Sequence, residues 1–215
     1  MEKLNCEIIK EKIKSFGASD IGFAYCEDGP ENLKYAISIV VALSKAIVCE
    51  IEDAPTHTYF NHYRTVNAHI DNILLKTGMF LQENGYNYIT VAASQSINGY
   101  QGRYSHKKAA CLSGMGSIGK NDLFIHEKLG CAVRLGTIFT DFPLSVENII
   151  KKSLCADCDK CVKACPAMAI KGVSFESKEK MIDERACSEY MKRNFQNIGR
   201  GAVCGICMSV CPHCK

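Results

Sequence analysis

The stretch Cys155-Ala-Asp-Cys158-Asp-Lys-Cys161-Val-Lys-Ala-Cys165-Pro166 opens the cysteine-rich end of this chain. Its spacing is C-x2-C-x2-C-x3-C-P. A second block, Cys204-Gly-Ile-Cys207-Met-Ser-Val-Cys211-Pro212, has the spacing C-x2-C-x3-C-P, and Cys187 precedes it. Nine of the fourteen cysteines lie in the last 61 residues, so the thiol chemistry of the chain is concentrated there.

These spacings predict two [4Fe–4S] clusters and therefore a protein that moves electrons one at a time. Cysteines two residues apart on a tight loop place three sulfurs on one cluster, and the cysteine before the proline reaches the neighbouring cluster. The predicted ligands of cluster one are Cys155, Cys158, Cys161 and Cys211. The predicted ligands of cluster two are Cys165, Cys187, Cys204 and Cys207.

Other interpretations of the cysteines compete with this one. A pair of zinc sites would use the same residue type, but zinc has no need of the x3-C-P crossover. A disulfide framework is less favoured still, since a chain with no secretion signal belongs in a reducing compartment. Cys214 is a spare thiol that could replace Cys187 as a ligand.

Length and composition set the broad class of the protein. The 215 residues suffice for one ordinary domain and a small appendage, and the net charge of +3 is too weak to indicate a nucleic-acid partner. The charged start Met-Glu-Lys-Leu-Asn-Cys-Glu is followed by no signal peptide, and no run of apolar residues is long enough for a membrane span. We therefore expect a cytoplasmic protein without membrane contact, in an anaerobe because exposed low-potential clusters are sensitive to oxygen.

The hydrophobic periodicity predicts an α+β fold with two domains. Residues 1–145 would form an α/β domain, and residues 146–215 would form a ferredoxin-like domain with both clusters. The predicted helices are 4–16, 30–37, 57–84, 106–114, 165–169 and 183–196. The predicted strands are 21–24, 39–43, 88–91, 123–125 and 133–139, with the last two paired through a turn at 128–130.

A second informative stretch is Gly114-Met115-Gly116-Ser117-Ile118-Gly119-Lys120-Asn121. Three glycines in six residues allow the backbone to approach a bulky ligand closely. The G-x-G-x-x-G pattern is not a dinucleotide fingerprint here, because no clear strand precedes it and no acidic ribose partner follows. A tight connection between a helix and a strand is the competing interpretation of this glycine loop.

The order of the motifs resembles that of epoxyqueuosine reductases. After the glycine loop come Leu135–Leu144, the first cysteine block, Arg185-Ala-Cys187-x2-Tyr190, Ile198-Gly199 and the second cysteine block. The resemblance runs over residues 85–212, and reductive dehalogenases are more distant relatives. It implies a cobalamin-dependent reductase whose nitroreductase-like α/β domain, over residues 1–145, holds the cofactor and substrate, with residues 114–121 beside the corrin. Electrons would pass from cluster to cluster and then to cobalt.

Two departures from that family concern the proton donor. The family carries an acidic residue about fourteen positions before the glycine loop, and here Tyr100 falls in that slot, with no aspartate between Ile89 and Lys120. The Glu-Arg pair that follows in the family is replaced by His106-Lys107. Tyr100 and His106 are therefore the predicted catalytic residues, since a phenol can deliver a proton to a developing anion. A surface position for Tyr100 and a helix-terminal position for His106 are the alternatives.

The resemblance also bears on substrates and partners. Larger family members carry a C-terminal helical-repeat domain that helps to hold tRNA, and the chain stops at Lys215 soon after the second block. We therefore expect a small-molecule or modified-nucleoside substrate, or a partner's corrinoid, rather than tRNA. An external low-potential donor of the ferredoxin or flavodoxin type would supply electrons, and a homodimer is compatible with the sequence.

Two other functional classes compete with a reductase. An electron-transfer protein or reductive activator of a corrinoid protein would use the clusters without binding cobalamin. A cluster-based redox sensor would need a DNA-reading element, and none is visible in the sequence. His57, His62 and His69 on the predicted long helix are candidate ligands, although such histidines more often serve the core. The scattered cysteines are predicted to be buried apolar residues, with an axial or redox role conceivable for Cys111.

Overall fold

The structure is a computed structural model that describes residues 4–97, 99–174, 177–201 and 203–214. Its helices are α1 (Cys6–Ser15), α2 (Lys45–Cys49), α3 (His57–Glu83), α4 (His106–Leu112), α5 (Lys160–Ala164), α6 (Lys178–Met181), α7 (Glu184–Asn194) and α8 (Ile206–Ser209). Its strands are β1 (Asp20–Tyr25), β2 (Tyr35–Ala42), β3 (Tyr88–Val91), β4 (Gly116–Ile118), β5 (Phe124–His126) and β6 (Val133–Thr140). Within the described residues, no helix combines the length and the apolar character needed to cross a bilayer.

The main sheet has four strands in the order β1-β2-β6-β3. Strand β1 runs antiparallel to β2, with Ile21 opposite Ile39, and β3 runs antiparallel to β6, with Ile89 opposite Phe139. A separate two-stranded sheet pairs β4 with β5. The predicted pairing of β5 with β6 is therefore wrong: the segment between them leads β6 into the larger sheet, while β5 turns back onto β4.

Glycines allow helices to approach both faces of the main sheet. A Cβ on Gly136 would lie 2.4 Å from Ile70 Cγ2 of α3, so β6 needs a glycine there. On the opposite face, a Cβ on Gly22 would lie 2.3 Å from Ser113 Oγ, which follows α4. Small residues such as Ala24, Ala36 and Ala109 continue this face, and a mixed α+β core with a helix against each face results.

Most helix boundaries follow from local signals in the sequence. Asn5 caps α1 by accepting from the backbone N–H groups of Glu7 and Ile8, and the chain leaves α3 through Gly85 at a φ of 85°. Residues 30–37 are not a helix as predicted, because only a 3-10 turn over Pro30–Asn32 precedes β2. The Ile37–Val41 run of β2 consists mostly of β-branched residues, which suit a buried strand.

Contacts divide the chain into two compact units, each made of several segments. The first unit contains residues 1–42, 66–116 and 134–151, and it holds α1, α4 and nearly all of the main sheet. The second unit contains residues 43–65, 117–133 and 152–215. The division into functional domains at residues 1–145 and 146–215 is a different property of the chain, and it stays a prediction.

The second unit gathers short helices and loops around the cysteines. A Cβ on Gly205 would lie 2.7 Å from Ile51 Cδ1 and 3.0 Å from the Tyr59 ring, so the turn before α8 packs closely on residues 43–65. The predicted helix over 165–169 is displaced: α5 covers Lys160–Ala164 and ends at Cys165. Pro166 explains the boundary, because a proline disfavours helical backbone at the residue before it.

Candidate functional site

Four cysteines line one cavity of the second unit, and we call them the first thiol set: Cys155, Cys158, Cys161 and Cys211. Asn121, Lys160, Pro212 and His213 complete the lining. Cys155 and Cys158 lie on the loop before α5, Cys161 lies in its first turn, and Cys211 follows α8. The structure therefore brings together the four side chains that the spacing assigned to cluster one.

The electrostatics of this set suit a positively charged core. Burial, together with the neighbouring Cys155, Cys211 and Cys158, raises the pKa of Cys161 to about 11. Thiols that hinder one another's ionisation in this way need a metal centre to hold them as thiolates. Among the described residues, no three His, Cys, Asp or Glu side chains are grouped closely enough to hold a single metal ion. Sulfurs spread around a cavity suit a larger iron–sulfur core, for which four thiolates are the usual ligands.

The other predicted ligands form a second thiol set: Cys165, Cys187, Cys204 and Cys207. Burial raises the pKa of Cys207, and Cys204, Cys187, Cys161 and Cys165 add to the rise. Burial, and after it the effects of Cys204, Cys165, Glu184 and Asp183, raises the pKa of Cys187 to about 11. These four thiols thus lie within electrostatic reach of one another, and Cys161 of the first thiol set lies within reach of Cys207.

Cys214 lies with a different group of thiols than Cys187 does. It is buried beside Cys131 and Cys211: hydrogen bonds with Cys211 and Cys214 are the leading causes that raise the pKa of Cys131. The hydrogen bond between Cys131 and Cys211 is also the leading cause that lowers the pKa of Cys211. The structure therefore places the spare thiol beside Cys211 of the first thiol set, and its replacement of Cys187 as a ligand stays a prediction. Sequence reasoning missed Cys131, because only folding brings it to Cys211.

The first part of the glycine loop is used in packing within the first unit. Gly114 has a φ of 73°, and a Cβ added there would lie 3.1 Å from Ile149 Cβ. The side chain of Met115 is buried. The helix α4 ends just before the glycine loop, and a short strand, β4, begins inside the loop at Gly116.

The last three residues of the loop contact the cysteine-bearing segments. A Cβ on Gly119 would lie 3.2 Å from Cys155 Sγ, so a glycine is needed where the loop passes this ligand. Lys120 Nζ donates to the Cys158 carbonyl at 3.1 Å, and Asn121 Nδ2 donates to the Cys207 carbonyl at 3.1 Å. Neighbouring side chains of one loop therefore support a ligand-bearing backbone from each thiol set.

Ser117 is the loop residue whose side chain keeps unused hydrogen-bonding capacity. Its hydroxyl is buried and has no hydrogen-bond partner among the described residues. A buried hydroxyl without a partner is costly and indicates a group that a bound molecule could satisfy. This single atom is compatible with a cobalamin side group, whereas residues 119–121 fit the clusters. Cobalamin binding by residues 114–121 stays a prediction.

The two predicted catalytic side chains have different environments. Tyr100 is 46% exposed and follows Gly99, the first described residue after a gap at position 98. His106 begins α4, with Nδ1 at 2.8 Å from Thr137 Oγ1 and Nε2 at 2.9 Å from the Ala92 carbonyl. Since that carbonyl can only accept, Nε2 carries the proton and Nδ1 accepts from the hydroxyl. The structure does not show a contact between Tyr100 and His106, and their catalytic roles stay predictions.

A charged network near α4 was not visible in the sequence. Tyr104 donates its hydroxyl to Asp28 Oδ1 at 3.0 Å, and Lys108 Nζ pairs with Asp28 Oδ2 at 2.5 Å. The ring of Tyr104 packs edge-on against Phe139, with centroids 4.7 Å apart. Burial, with Cys26 and Asp28, raises the pKa of Tyr104 strongly, so this phenol stays protonated. The partners are about eighty residues apart in sequence, and no local pattern links them.

The histidines of α3 serve the fold in the structure. His62 Nε2 accepts from the Ser44 backbone N–H at 2.9 Å, which supports the start of α2. His57 Nδ1 lies 3.1 Å from the Ile198 carbonyl. A Cβ on Gly17 would lie 2.6 Å from His69 Nε2. Each ring contacts its own part of the chain, so the structure does not bring the three together.

Comparisons with known proteins bear on the cysteine-bearing region and on the fold. Residues 154–214 match the family model described as the 4Fe-4S double cluster binding domain. The chain is 31% identical over 116 residues to an epoxyqueuosine reductase of Pseudomonas aeruginosa, over 49% of this chain and 30% of the relative. It is 26% identical over 159 residues to a tetrachloroethene reductive dehalogenase of Desulfitobacterium hafniense, over 67% of this chain and 27% of the relative.

Solved structures share the fold. A catabolic reductive dehalogenase superposes with a TM-score of 0.78 at 20% identity, over 96% of this chain and 31% of the other. An epoxyqueuosine reductase from Bacillus subtilis superposes with a TM-score of 0.67 at 19% identity, over 97% of this chain and 65% of the other. A further dehalogenase, with a TM-score of 0.78 at 19% identity over 96% of this chain and 31% of the other, is described as suggesting a mechanism for B12-dependent dehalogenation. The predicted α+β class and double-cluster region are thus confirmed.

The match covers part of each relative. The chain spans 30% of the length of the Pseudomonas reductase and 27% of the Desulfitobacterium dehalogenase. Most of each relative therefore lies outside the aligned region.

Proposed function

Because this chain is a relative of the epoxyqueuosine reductases and reductive dehalogenases and carries a 4Fe-4S double cluster binding domain, we propose that it is a cobalamin-dependent iron–sulfur reductase. Electrons from an external low-potential donor would enter two [4Fe–4S] clusters and leave through a bound cobalamin. The reducible group would belong to a small molecule or a modified nucleoside.

The observation that carries the proposal is the pair of thiol sets in the second unit. The first thiol set lines one cavity, and the second shares electrostatic contacts among its own members. Cys161 of the first set raises the pKa of Cys207 of the second, so the two sets are neighbours. Two adjacent clusters are the arrangement that one-electron transfer between them requires.

Cobalamin, when bound, supplies a cobalt centre that takes up electrons and transfers them to the substrate. On the protein side, we assign the Ser117 hydroxyl as a hydrogen-bond partner of a polar group of cobalamin, since this hydroxyl has no partner among the described residues. Tyr100 is the proposed proton donor, because its exposed phenol is free to face a substrate. His106 would have to give up its hydrogen bond to the Ala92 carbonyl before it could donate a proton from Nε2.

One observation favours a second candidate function. Gly119, Lys120 and Asn121, three of the residues predicted to face cobalamin, contact the ligand-bearing loops instead. A chain whose glycine loop supports only the clusters would be an electron-transfer protein or the reductive activator of a partner's corrinoid. Such a protein would hold both clusters and no cobalamin.

Anaerobic reconstitution with iron, sulfide and cobalamin distinguishes the two functions. After desalting, we expect about eight irons per chain, as two [4Fe–4S] clusters require, and one retained cobalt. A cob(II)alamin signal in the EPR spectrum of the partly reduced protein would accompany them. Full iron without retained cobalt would contradict the reductase and support the electron-transfer function. Zinc in place of iron would contradict both.

The Ser117 assignment adds a matched variant to this experiment. Ser117→Ala removes the unpartnered hydroxyl without adding atoms to its buried position. We expect the variant to keep its iron and to retain less cobalt than the wild type after the same desalting step. Equal cobalt retention would remove Ser117 from the cobalamin site.

A further inference from the structure

The two thiol sets have surroundings of opposite charge. Near the first thiol set, the ammonium group of Lys120 is partly buried and lies 3.1 Å from the Cys158 carbonyl. A hydrogen bond to a carbonyl leaves the positive charge of the lysine intact. A cation held beside a cluster favours the additional electron, and partial burial strengthens the effect because water screens it less.

Acidic residues on the same loop do not cancel this charge. Asp159 pairs with Lys163 at 3.1 Å, which offsets its carboxylate within one turn of α5. Asp157 is exposed, so water and salt screen its charge. Lys160 also lines the cavity of the first thiol set, but it is exposed, so its charge is screened as that of Asp157 is. The partly buried Lys120 therefore contributes a field at cluster one that favours reduction.

The second thiol set lies next to carboxylates. Asp183 and Glu184 begin α7 one turn before Cys187, and both oppose ionisation of this thiol. Glu184 pairs with Lys178. The Asp183 carboxylate accepts from the Ala186 backbone N–H at 2.9 Å and keeps its negative charge. A negative charge beside a cluster disfavours the additional electron.

We propose that Lys120 raises the reduction potential of the cluster held by the first thiol set above that of the cluster held by the second. Lys120 supplies a positive charge, and its ammonium group contacts a cluster ligand through the backbone carbonyl of Cys158. The proposal deepens the proposed function and rests on it. Oxidation of cluster two would release one electron that reduces cluster one, so electrons would collect at the cluster beside Gly119.

The test is an EPR-monitored redox titration of the full chain with both clusters in place. In the wild type we expect two midpoint potentials. In Lys120→Gln we expect the higher one to move to a more negative value while the lower one stays unchanged. Lys120→Arg keeps the charge and should remain close to the wild type. Cys155→Ser assigns the potentials, because an oxygen ligand changes the EPR signal of cluster one alone.

Lys171→Gln is the matched control. Lys171 also lies in the second unit, and its Nζ donates to a backbone carbonyl, that of Glu179 at 3.2 Å, which bears no cluster ligand. Its removal should leave both midpoints where they were. A shift as large as that of Lys120→Gln would show that any lost lysine has the effect, and it would overturn the proposal.

The outcomes separate this proposal from the proposed function. If Lys120→Gln has the same two midpoint potentials as the wild type, and both proteins carry full iron, the role of Lys120 is overturned. The proposed reductase function is not affected by that result. A wild type whose Cys155-marked cluster has the lower potential also overturns it, and this measurement does not depend on how Lys120→Gln folds. A wild type that takes up no iron contradicts both proposals.

Discussion

At the scale of single residues, His106 shows how one side chain acquires a role that its sequence position does not reveal. Its two nitrogens connect Thr137 of β6 to the Ala92 carbonyl. Burial is the leading cause that lowers the pKa of His106, and the positive charge of Arg134 lowers it further. The imidazole is therefore neutral in the folded protein at pH values at which an unfolded chain would already protonate it.

This difference predicts a pH-dependent stability. Above the unfolded-state pKa of about 6.5 the contribution of His106 is fully present, and it is lost as the pH falls towards the lower folded-state pKa. The unfolded state binds the additional proton in that window, so acidification favours unfolding. His106→Gln can keep both hydrogen bonds and cannot titrate. Its thermal midpoint should therefore fall less than that of the wild type between pH 8 and pH 6.

The measurement is anaerobic thermal unfolding of both proteins with their clusters in place. Because the clusters respond to acid equally in the two proteins, the difference between them isolates His106. His106→Ala, which leaves the Thr137 hydroxyl and the Ala92 carbonyl unpaired, should lose about 1–3 kcal/mol at pH 8. Parallel pH profiles for His106→Gln and the wild type would contradict the assignment of a neutral imidazole.

At the scale of elements, the last residues of the glycine loop support the backbone that carries the predicted cluster ligands. Gly119→Ala should lower the iron content of the reconstituted protein. The added Cβ would meet Cys155 Sγ at 3.2 Å and Ile125 Cδ1 at 2.7 Å, so either the ligand or β5 must shift. Iron and sulfide per chain, determined after desalting, measure the effect.

Gly85→Ala separates a loss of iron from a general loss of stability. Gly85 has open space around it, but its φ of 85° costs a side chain about 1–2 kcal/mol. This variant should unfold at a lower temperature and keep its full iron. Full iron in Gly119→Ala as well would show that the loop does not need a glycine beside Cys155.

At the scale of the whole molecule, the clusters are expected to hold the second unit together. Its helices α5, α6 and α8 have four or five residues each, too short to be stable alone. Thiols such as the buried Cys161 and the half-buried Cys207 would lose the centre that holds them as thiolates once the clusters are removed. The first unit has a four-stranded sheet and its own core of apolar side chains.

Anaerobic cluster removal with an iron chelator should therefore affect the units unequally. In hydrogen exchange, we expect faster deuterium uptake in residues 43–65, 117–133 and 152–214 and retained protection in the strands β1, β2 and β3. Protein treated with the same reductant but without chelator is the control. Equal loss of protection in both units would contradict a cluster-specific role.

Local chemistry in the sequence determined the clusters, the α+β class and most helices. The C-x2-C-x2-C-x3-C-P and C-x2-C-x3-C-P spacings encode which sulfurs can share a core, and the hydrophobic period encodes α1 and α3. Each of these properties depends on residues a few positions apart. The role of Tyr100 as the proton donor stays a prediction, and so does the class of substrate.

Tertiary structure alone decided which distant residues meet. It paired β5 with β4 instead of β6, joined Tyr104 to Asp28 and brought Cys131 to Cys211. It also turned Lys120 and Asn121 towards the carbonyls of Cys158 and Cys207. The physical reason is the same in each case. Such contacts join residues that are far apart in the sequence and meet only when the core packs, and short-range sequence patterns do not encode them.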